Sequence, residues 1–153
     1  MTMRRREVLL ALGGITTGVL AVTAGTVRAD NGHADESRHD GPWAKCAKAC
    51  ALCTIECNSC YQHCTGLVAA GHKDHAKAMR LCIDCAGFCA TAAELTARHS
   101  ALAILACEAC AKACDMCAEE CQRFPEDKHM AACAKSCREC AADCREMIKH
   151  AVK

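Results

Sequence analysis

The cysteines are the residues of this sequence whose chemistry and spacing stand out. All 18 lie between positions 46 and 144, in four groups within which successive cysteines are three or four residues apart. The groups are Cys46, Cys50, Cys53, Cys57, Cys60 and Cys64; Cys82, Cys85 and Cys89; Cys107, Cys110, Cys114, Cys117 and Cys121; and Cys133, Cys137, Cys140 and Cys144. Thiols form disulfides, attack electrophiles or bind soft metal ions, so one of these chemistries, or packing alone, must account for the pattern.

Steps of three and four residues place every cysteine of a group on one stripe of an α-helix. Their average of about 3.5 residues is close to the helical repeat, whereas a β-strand would require steps of two. Most residues between the cysteines are Ala, Glu, Lys, Met and Arg, which are good helix formers. The pattern therefore predicts four helices that each present a row of thiols.

Helix-breaking residues separate the four groups. Gly71 is the expected stop of the first helix, Ser100 is a candidate N-cap of the third, and Pro125 is expected near the first turn of the fourth. Together with the stripes, these breaks predict helices near residues 43–70, 73–98, 101–123 and 127–151. Such short connections require antiparallel neighbours. The predicted fold class is all-α, an antiparallel up-down-up-down four-helix bundle with a cysteine-lined core.

Packing and disulfide bonding are the two structural explanations for the stripes. Free Cys packs well as a small apolar residue, but Leu and Ile would fill a seam of this size better. Disulfides along one helix are geometrically poor, because i,i+4 Cβ atoms are about 5–6 Å apart and a disulfide requires about 3.5–4.5 Å. Disulfides between helices remain an open alternative, in which the bundle would be cross-linked.

Metal binding explains an unbroken stripe more directly. Soft thiolate sulfur selects Cu(I), zinc and iron–sulfur clusters. Zinc requires closed sets of four ligands, usually on turns, and here the C-x2-C pairs lie within helices and overlap with C-x3-C pairs. The cluster-binding run C-x2-C-x2-C-x3-C-P is absent from the sequence. Cu(I), which two or three thiolates can hold, fits overlapping pairs best, and an iron–sulfur or zinc-binding redox protein remains the alternative.

The charge of a loaded core also favours Cu(I). One Cu(I) displaces one thiol proton, so a core with nearly one copper per cysteine stays close to neutral, whereas four thiolates on one Zn²⁺ bury two negative charges. Without metal, the thiols can remain protonated and apolar. We therefore expect the metal-free protein to be folded, unlike a zinc finger.

The first helix, with its C-x3-C-x2-C-x3-C-x2-C-x3-C pattern, and the three further striped helices resemble the exported bacterial copper storage proteins. The resemblance covers residues from about 43 to 151. It implies a four-helix bundle that holds many Cu(I) ions along its core, assembles into a tetramer and releases copper to copper enzymes. The second helix departs from a full stripe, because Ala92 and Thr96 continue its seam, and that end should bind fewer ions.

Histidine and methionine flank the stripes. Steps of four and three residues lead back from Cys82 to His75 and forward from Cys89 to His99, while Met130 and Met147 flank the fourth stripe. In an antiparallel bundle, one end gathers a larger set of such ligands: His63, His72, His75, Met79, His129 and Met130. The family has a mouth that bears Met and His, and the resemblance assigns this role to His75, Met79 and Met130.

The N-terminal residues have the layout of an export signal. Residues 1–29 begin with arginines, continue with an apolar segment and end with Val27 and Ala29 at the small-residue positions of a cleavage site. Arg5 and Arg6 resemble a twin-arginine signal. We predict cleavage after Ala29, a disordered leader over 30–42, a Cu(I)-binding domain over 43–153, and export of the folded protein to the periplasm. An uncleaved membrane anchor is the alternative.

Net charge and composition limit the range of functions that the chain can have. Removing residues 1–29 takes away four arginines and one glutamate, which leaves 15 basic and 17 acidic residues, so no nucleic-acid-binding surface is expected. No Ser/His/Asp set is evident, and we expect no enzymatic activity. The predicted partners are copper donors and acceptors, either proteins or small thiols and chelators, and further copies of the chain. No stable membrane span is expected after cleavage.

Overall fold

The structure, a computed structural model, describes residues 41–152 of the 153-residue chain. The predicted signal peptide, 1–29, lies outside the described residues, as does nearly all of the predicted leader, 30–42. Four helices make up most of the described chain. They are α1, Pro42–Ala69; α2, Ala76–Ala97; α3, Ala103–Cys121; and α4, Lys128–Ala151. A 3-10 turn, Lys73–His75, leads into α2.

The helices form the predicted antiparallel bundle. α1 packs against α2 and α4, and α3 packs against the same two helices, so each helix has two neighbours around the core. Cys46 near the start of α1 meets Cys144 near the end of α4. Cys89 near the end of α2 meets Cys110 near the start of α3. These contacts confirm the up-down-up-down order that the short connections predicted.

Backbone geometry explains where α1 and α2 end. Gly71, the predicted stop, has φ of 100°, and the N–H of His72 donates to the carbonyl of Leu67 at 3.0 Å, as expected for a glycine-terminated helix. The same arrangement ends α2, where His99 has φ of 51° and the N–H of Ser100 donates to the carbonyl of Leu95 at 2.9 Å. A non-glycine residue at this position is less favourable than glycine.

The third and fourth helices begin slightly later than predicted, by two residues and one residue respectively. α3 begins at Ala103, and Ser100 precedes it with a hydroxyl that accepts a hydrogen bond from the N–H of Leu102 at 3.2 Å. α4 begins at Lys128, beyond Pro125, because the side chain of Asp127 accepts from the first backbone N–H groups of the helix. Side-chain capping therefore sets the start of α4.

The interior of the bundle is made of thiols and small side chains. All 18 cysteines are buried, with exposures of 0–1%. The other buried apolar residues among 41–152 are alanines together with Met130 and Met147, and no Leu, Ile, Val or Phe belongs to this set. Among the described helices, none has both the length and the hydropathy of a membrane span. The cysteine-lined core is confirmed.

Candidate metal centre

The thiols of the four helices converge into overlapping groups of four. In each group the four sulfur atoms lie within 4.8 Å of one another. Five such groups are Cys50, Cys110, Cys140 and Cys144; Cys53, Cys85, Cys114 and Cys137; Cys53, Cys89, Cys114 and Cys140; Cys57, Cys117, Cys133 and Cys137; and Cys60, Cys82, Cys121 and Cys133. Because several cysteines belong to two groups, the sulfur atoms form a continuous column along the bundle axis.

Neighbouring sulfur atoms in the column are separated by distances that suit shared metal ions. Between helices, the Sγ atoms of Cys50 and Cys144 are 3.5 Å apart. Along one helix, the i,i+4 pair Cys53 and Cys57 has an Sγ–Sγ distance of 3.8 Å. The structure contains these cysteines as free thiols. An ion between two or three of these sulfur atoms could therefore bind without a change in the backbone.

Burial opposes ionisation of the thiols when no metal is bound, although hydrogen bonds from neighbouring thiols lower the pKa of some of them, such as Cys85, to about 6. Burial, together with the nearby Cys60, raises the pKa of the Cys64 thiol from an ordinary value of 9.0 to about 12. Hydrogen bonds to Cys110 and Cys140 raise the pKa of Cys50. Protonated thiols are apolar and pack without a desolvation penalty, whereas bound metal must displace their protons. Metal loading therefore exchanges protons for cations inside a preformed core.

Met130 joins the column at one end of the bundle. Its thioether sulfur lies 3.5 Å from the Sγ atoms of both Cys60 and Cys64, and its side chain is fully buried. The sequence placed Met130 at this end, and the structure adds its contact with two thiols. Three soft sulfur atoms, two from α1 and one from α4, thus converge where the column meets the α3–α4 connection. The bundle end around this triad is hereafter the mouth.

The mouth contains most of the histidines that the sequence assigned to this end. His75 is 9% exposed, and its ring stacks on Phe124 with centroids 4.0 Å apart. Met79 is half-buried and packs against the core. An open cleft of about 550 Å³ lies at this end, lined in part by His72, His75 and Asp127. The structure places His75 and Met79 beside the core and leaves His72 exposed on the surface.

Asp127 connects the mouth histidines with the start of α4. One of its carboxylate oxygens is 2.6 Å from Nε2 of His63, and the other accepts hydrogen bonds from the N–H groups of His129 and Met130. The ring of His63 also stacks on that of His129, with centroids 4.4 Å apart. Burial raises the pKa of Asp127, but hydrogen bonds from His63 and the Met130 backbone outweigh it and hold the pKa below its usual value.

The opposite end of the column is built differently. Met147 and Thr96 are fully buried there. His99 was expected to extend the second stripe, but this expectation is wrong because α2 ends at Ala97 and the backbone then turns. His99 is exposed and stacks on Trp43, with ring centroids 4.7 Å apart. The aromatic pair therefore covers this end instead of providing a ligand.

Sequence reasoning missed one buried charge. Glu120 is 3% exposed, and its carboxylate accepts hydrogen bonds from Lys77 of α2 and from Arg123. Burial opposes ionisation of Glu120, but these two cations together lower its pKa below the ordinary value. The position could have been found from the stripe, since Glu120 follows Cys117 by three residues and precedes Cys121. The missing information was which cation of the neighbouring helix would pair with it.

Comparisons with known proteins agree with this geometry. A family model described as copper storage protein matches residues 39–149. The Cu(I)-bound copper storage protein BsCsp3 is a structural relative with 32% identity and a TM-score of 0.64, and the match covers 71% of this chain and 99% of that one. Among curated protein sequences, none matches this chain.

Copper-loaded proteins from Streptomyces lividans are also similar. A structure of copper loading to a cytosolic copper storage protein, with five coppers, has 28% identity, a TM-score of 0.65, and coverage of 74% of this chain and 96% of that one. The copper storage protein Ccsp loaded with 10 copper equivalents has 29% identity and a TM-score of 0.65, and the match covers 81% of this chain and 93% of that one. The similarity therefore extends over most of the described bundle.

Proposed function

The chain belongs to the copper storage protein family, and from this membership we propose how its residues hold and exchange the metal. The protein stores multiple Cu(I) ions in its thiol-lined core. We assign the 18 buried cysteines as the ligands, with Met130 as a further sulfur ligand at the mouth. His75 and Met79 line the path by which copper reaches the column.

The observation that supports this assignment most is the continuous column of four-thiol groups. A closed tetrahedral zinc site would leave its neighbours without a full set of ligands, because adjacent groups share cysteines such as Cys53 and Cys114. Cu(I) needs only two or three thiolates, so ions can occupy overlapping positions along the column. Because each Cu(I) replaces a proton, the buried core remains close to neutral during loading.

Copper exchange is proposed to take place at the mouth. Met130 contacts Cys60 and Cys64, while the far end is covered by the Trp43–His99 stack and by buried Met147. Thioether and imidazole ligands bind Cu(I) without a thiolate's charge, which suits transient contact with a donor or acceptor. Small thiols, chelators or copper-carrying proteins would load the core here and remove copper for copper enzymes. The family's role is storage, and we assign no reaction to the chain.

Export of the protein is proposed from residues 1–29, which lie outside the described residues. A relative from Streptomyces lividans is described as cytosolic, so family membership alone does not decide the compartment. The paired Arg5 and Arg6 and the cleavage motif at Ala29 support the twin-arginine route to the periplasm, with residues 43–153 as the storage domain. Fractionation of cells that express the full chain and its Arg5→Lys/Arg6→Lys variant tests this. Cytosolic accumulation of both proteins would contradict export.

Association of several chains is proposed from the resemblance and from exposed apolar side chains on α1. Leu52 and Ile55 are 65% and 66% exposed, and Ile83 of α2 is 41% exposed. Leu81 of α2 is half-buried. Light scattering should give the mass of four chains, and Leu52→Glu with Ile55→Glu should lower it. A monomeric mass for the unaltered chain would contradict a tetramer.

A double substitution tests the ligand assignment. Cys114 and Cys140 share a four-thiol group with Cys53 and Cys89, so Cys114→Ala with Cys140→Ala should lower the Cu(I) capacity by about two ions while the helices remain. The cavity left by each substitution is small, so circular dichroism should be unchanged. Thr96→Ala, which removes a buried side chain but no thiol, is the control and should retain full capacity. Unfolding of the double variant would instead indicate that these thiols are structural.

A further inference from the structure

At the end of the column opposite the mouth, α1, α3 and α4 contribute the outermost thiols and α2 contributes none. The Sγ atom of Cys46 lies 3.7 Å from that of Cys107 and 3.7 Å from that of Cys144, so α1, α3 and α4 each contribute one thiol. The fourth helix contributes Thr96, whose hydroxyl oxygen lies 3.3 Å from the Sγ atom of Cys107. Cys46, Cys107 and Cys144 are hereafter the three-thiol layer.

The surroundings of the three-thiol layer are apolar and closed. Ala92 of α2, Ala103 of α3 and Met147 of α4 are fully buried at this end, as is Thr96. An unbalanced charge at this position is therefore costly, because neither water nor an opposite charge compensates it. A ligand that binds all three thiolates must supply a charge that matches theirs.

A trivalent ion is needed if all three sulfur atoms are to bind as thiolates in a neutral complex. One Cu(I) replaces one thiol proton and a divalent ion replaces two, so some of the three thiols stay protonated, whereas a trivalent ion replaces all three protons. Arsenic(III) is a trivalent thiophile that bonds to three sulfur atoms. We propose that the three-thiol layer binds one arsenic(III), a function that goes beyond copper storage.

The binding reaction is balanced without any oxidant or reductant. Arsenous acid, As(OH)₃, reacts with the three thiols to form three As–S bonds while its three As–O bonds break. Each hydroxyl leaves with one thiol proton as water, and arsenic and sulfur keep their oxidation states. Because the reactant acid is neutral at neutral pH and the product complex is neutral, no charge is transferred into the core at any stage.

The shape of the layer also fits arsenic(III). Three sulfur atoms around arsenic(III) form a pyramid, and the fourth position is occupied by a lone pair that requires no donor. Cys46, Cys107 and Cys144 converge from three helices, and Thr96 stands at the position where a fourth thiol would otherwise lie. Beyond these three thiols, the Sγ atom of Cys50 lies 4.0 Å from that of Cys46 and 3.5 Å from that of Cys144, and it can stay protonated beside the complex.

Arsenite binding to the reduced, metal-free full-length chain tests the proposal. The affinity of the first equivalent is measured by competition with a small dithiol. Cys107 lies in the layer and Cys114 lies two turns further along α3 in two four-thiol groups, and both are fully buried, so the two residues form a matched pair. Cys107→Ala should weaken the first equivalent by roughly tenfold or more, whereas Cys114→Ala should change it by less than about twofold.

Two results would overturn the proposal. One is the failure of the unaltered chain to compete with the dithiol, and the other is a Cys114→Ala effect as large as that of Cys107→Ala. Circular dichroism checks that both variants are folded. Cu(I) titration of the same two variants keeps this question separate from copper storage, because each should lose only about one copper from its capacity.

Discussion

At the scale of single residues, cysteine serves two purposes in this protein. A protonated thiol packs as a small apolar side chain, and a deprotonated thiol is a strong ligand for soft ions. The fully buried cysteines therefore replace the Leu and Ile of an ordinary bundle core without leaving buried charge in the metal-free state. The capacity of the core should follow from how many stripe positions carry sulfur.

Thr96 provides a direct test of that relation. Thr96→Cys should raise the Cu(I) capacity by about one ion, because it places a fourth thiol beside Cys107, whose sulfur is 3.3 Å from the Thr96 hydroxyl. Thr91→Cys on the exposed face of α2 is the control, and it should add a reactive surface thiol but no core capacity. Anaerobic titration against a chromophoric chelator measures both. Equal capacities of the two variants would show that position on the stripe does not determine binding.

Met130 and Met147 form a matched pair for testing the direction of copper exchange. Both are fully buried on α4, but only Met130 contacts Cys60 and Cys64 at the mouth. Met130→Leu keeps the volume and removes the sulfur, so it should slow copper transfer from a small-thiol donor while lowering the capacity by about one ion at most. Met147→Leu should leave the rate unchanged. Stopped-flow measurements of the rate of copper loading compare the two variants. A slower rate for Met147→Leu alone would show that copper enters at the other end of the bundle.

At the scale of secondary-structure elements, the helix ends are where sequence and structure differ most. The positions of the stripes were predictable because a single period governs each one. The exact starts of α3 and α4 were less predictable, since they depend on which side chain accepts the first free N–H groups. At the start of α4 this side chain is Asp127, whose carboxylate accepts from the N–H groups of His129 and Met130, and Pro125 lies outside the helix. His99 does not lie on the predicted second stripe, because α2 ends at Ala97, two residues before His99.

Asp127 should stabilise α4 and the mouth together. Asp127→Ala removes the N-cap and the contact with His63, and it should lower the free energy of unfolding by about 1 kcal/mol. Asp127→Asn retains an acceptor for the N–H of Met130 but loses the charge beside His63, so it should cost less. Urea denaturation of the metal-free variants measures both. Indistinguishable stability of Asp127→Ala and the unaltered chain would show that the cap contributes nothing.

At the scale of the whole molecule, we expect the bundle to be folded before any metal arrives. Protonated thiols would allow the core to pack without metal, so loading would need proton exchange but no folding step, in contrast to a zinc finger. The fold class and the burial of the thiols in one column could be predicted from the sequence because one pattern specifies both. The pairing of Glu120 with Lys77 could not, because it depends on how α2 and α3 are rotated against each other.

The pH dependence of the free energy of unfolding should show that the buried thiols are protonated in the folded, metal-free protein. The pKa of Cys64 is raised from 9.0 in an ordinary thiol to about 12 by burial, so its contribution to stability is complete below 9.0 and is lost as the pH rises toward 12. Metal-free protein should therefore lose stability in urea as the pH is raised from neutral to about 10. Cys64→Ala should show a shallower decline. Stability that increases over this interval would contradict a core of protonated thiols.

The most direct test of the account is an anaerobic titration of the reduced protein with Cu(I) in the presence of a coloured chelator. A storage column of 18 thiols should take up many coppers, roughly one per cysteine, before the chelator develops colour. Circular dichroism recorded alongside should show the same helices before and after loading. Uptake of only one or two coppers, or stronger binding of zinc, would contradict a Cu(I) store and indicate a different use of the thiols.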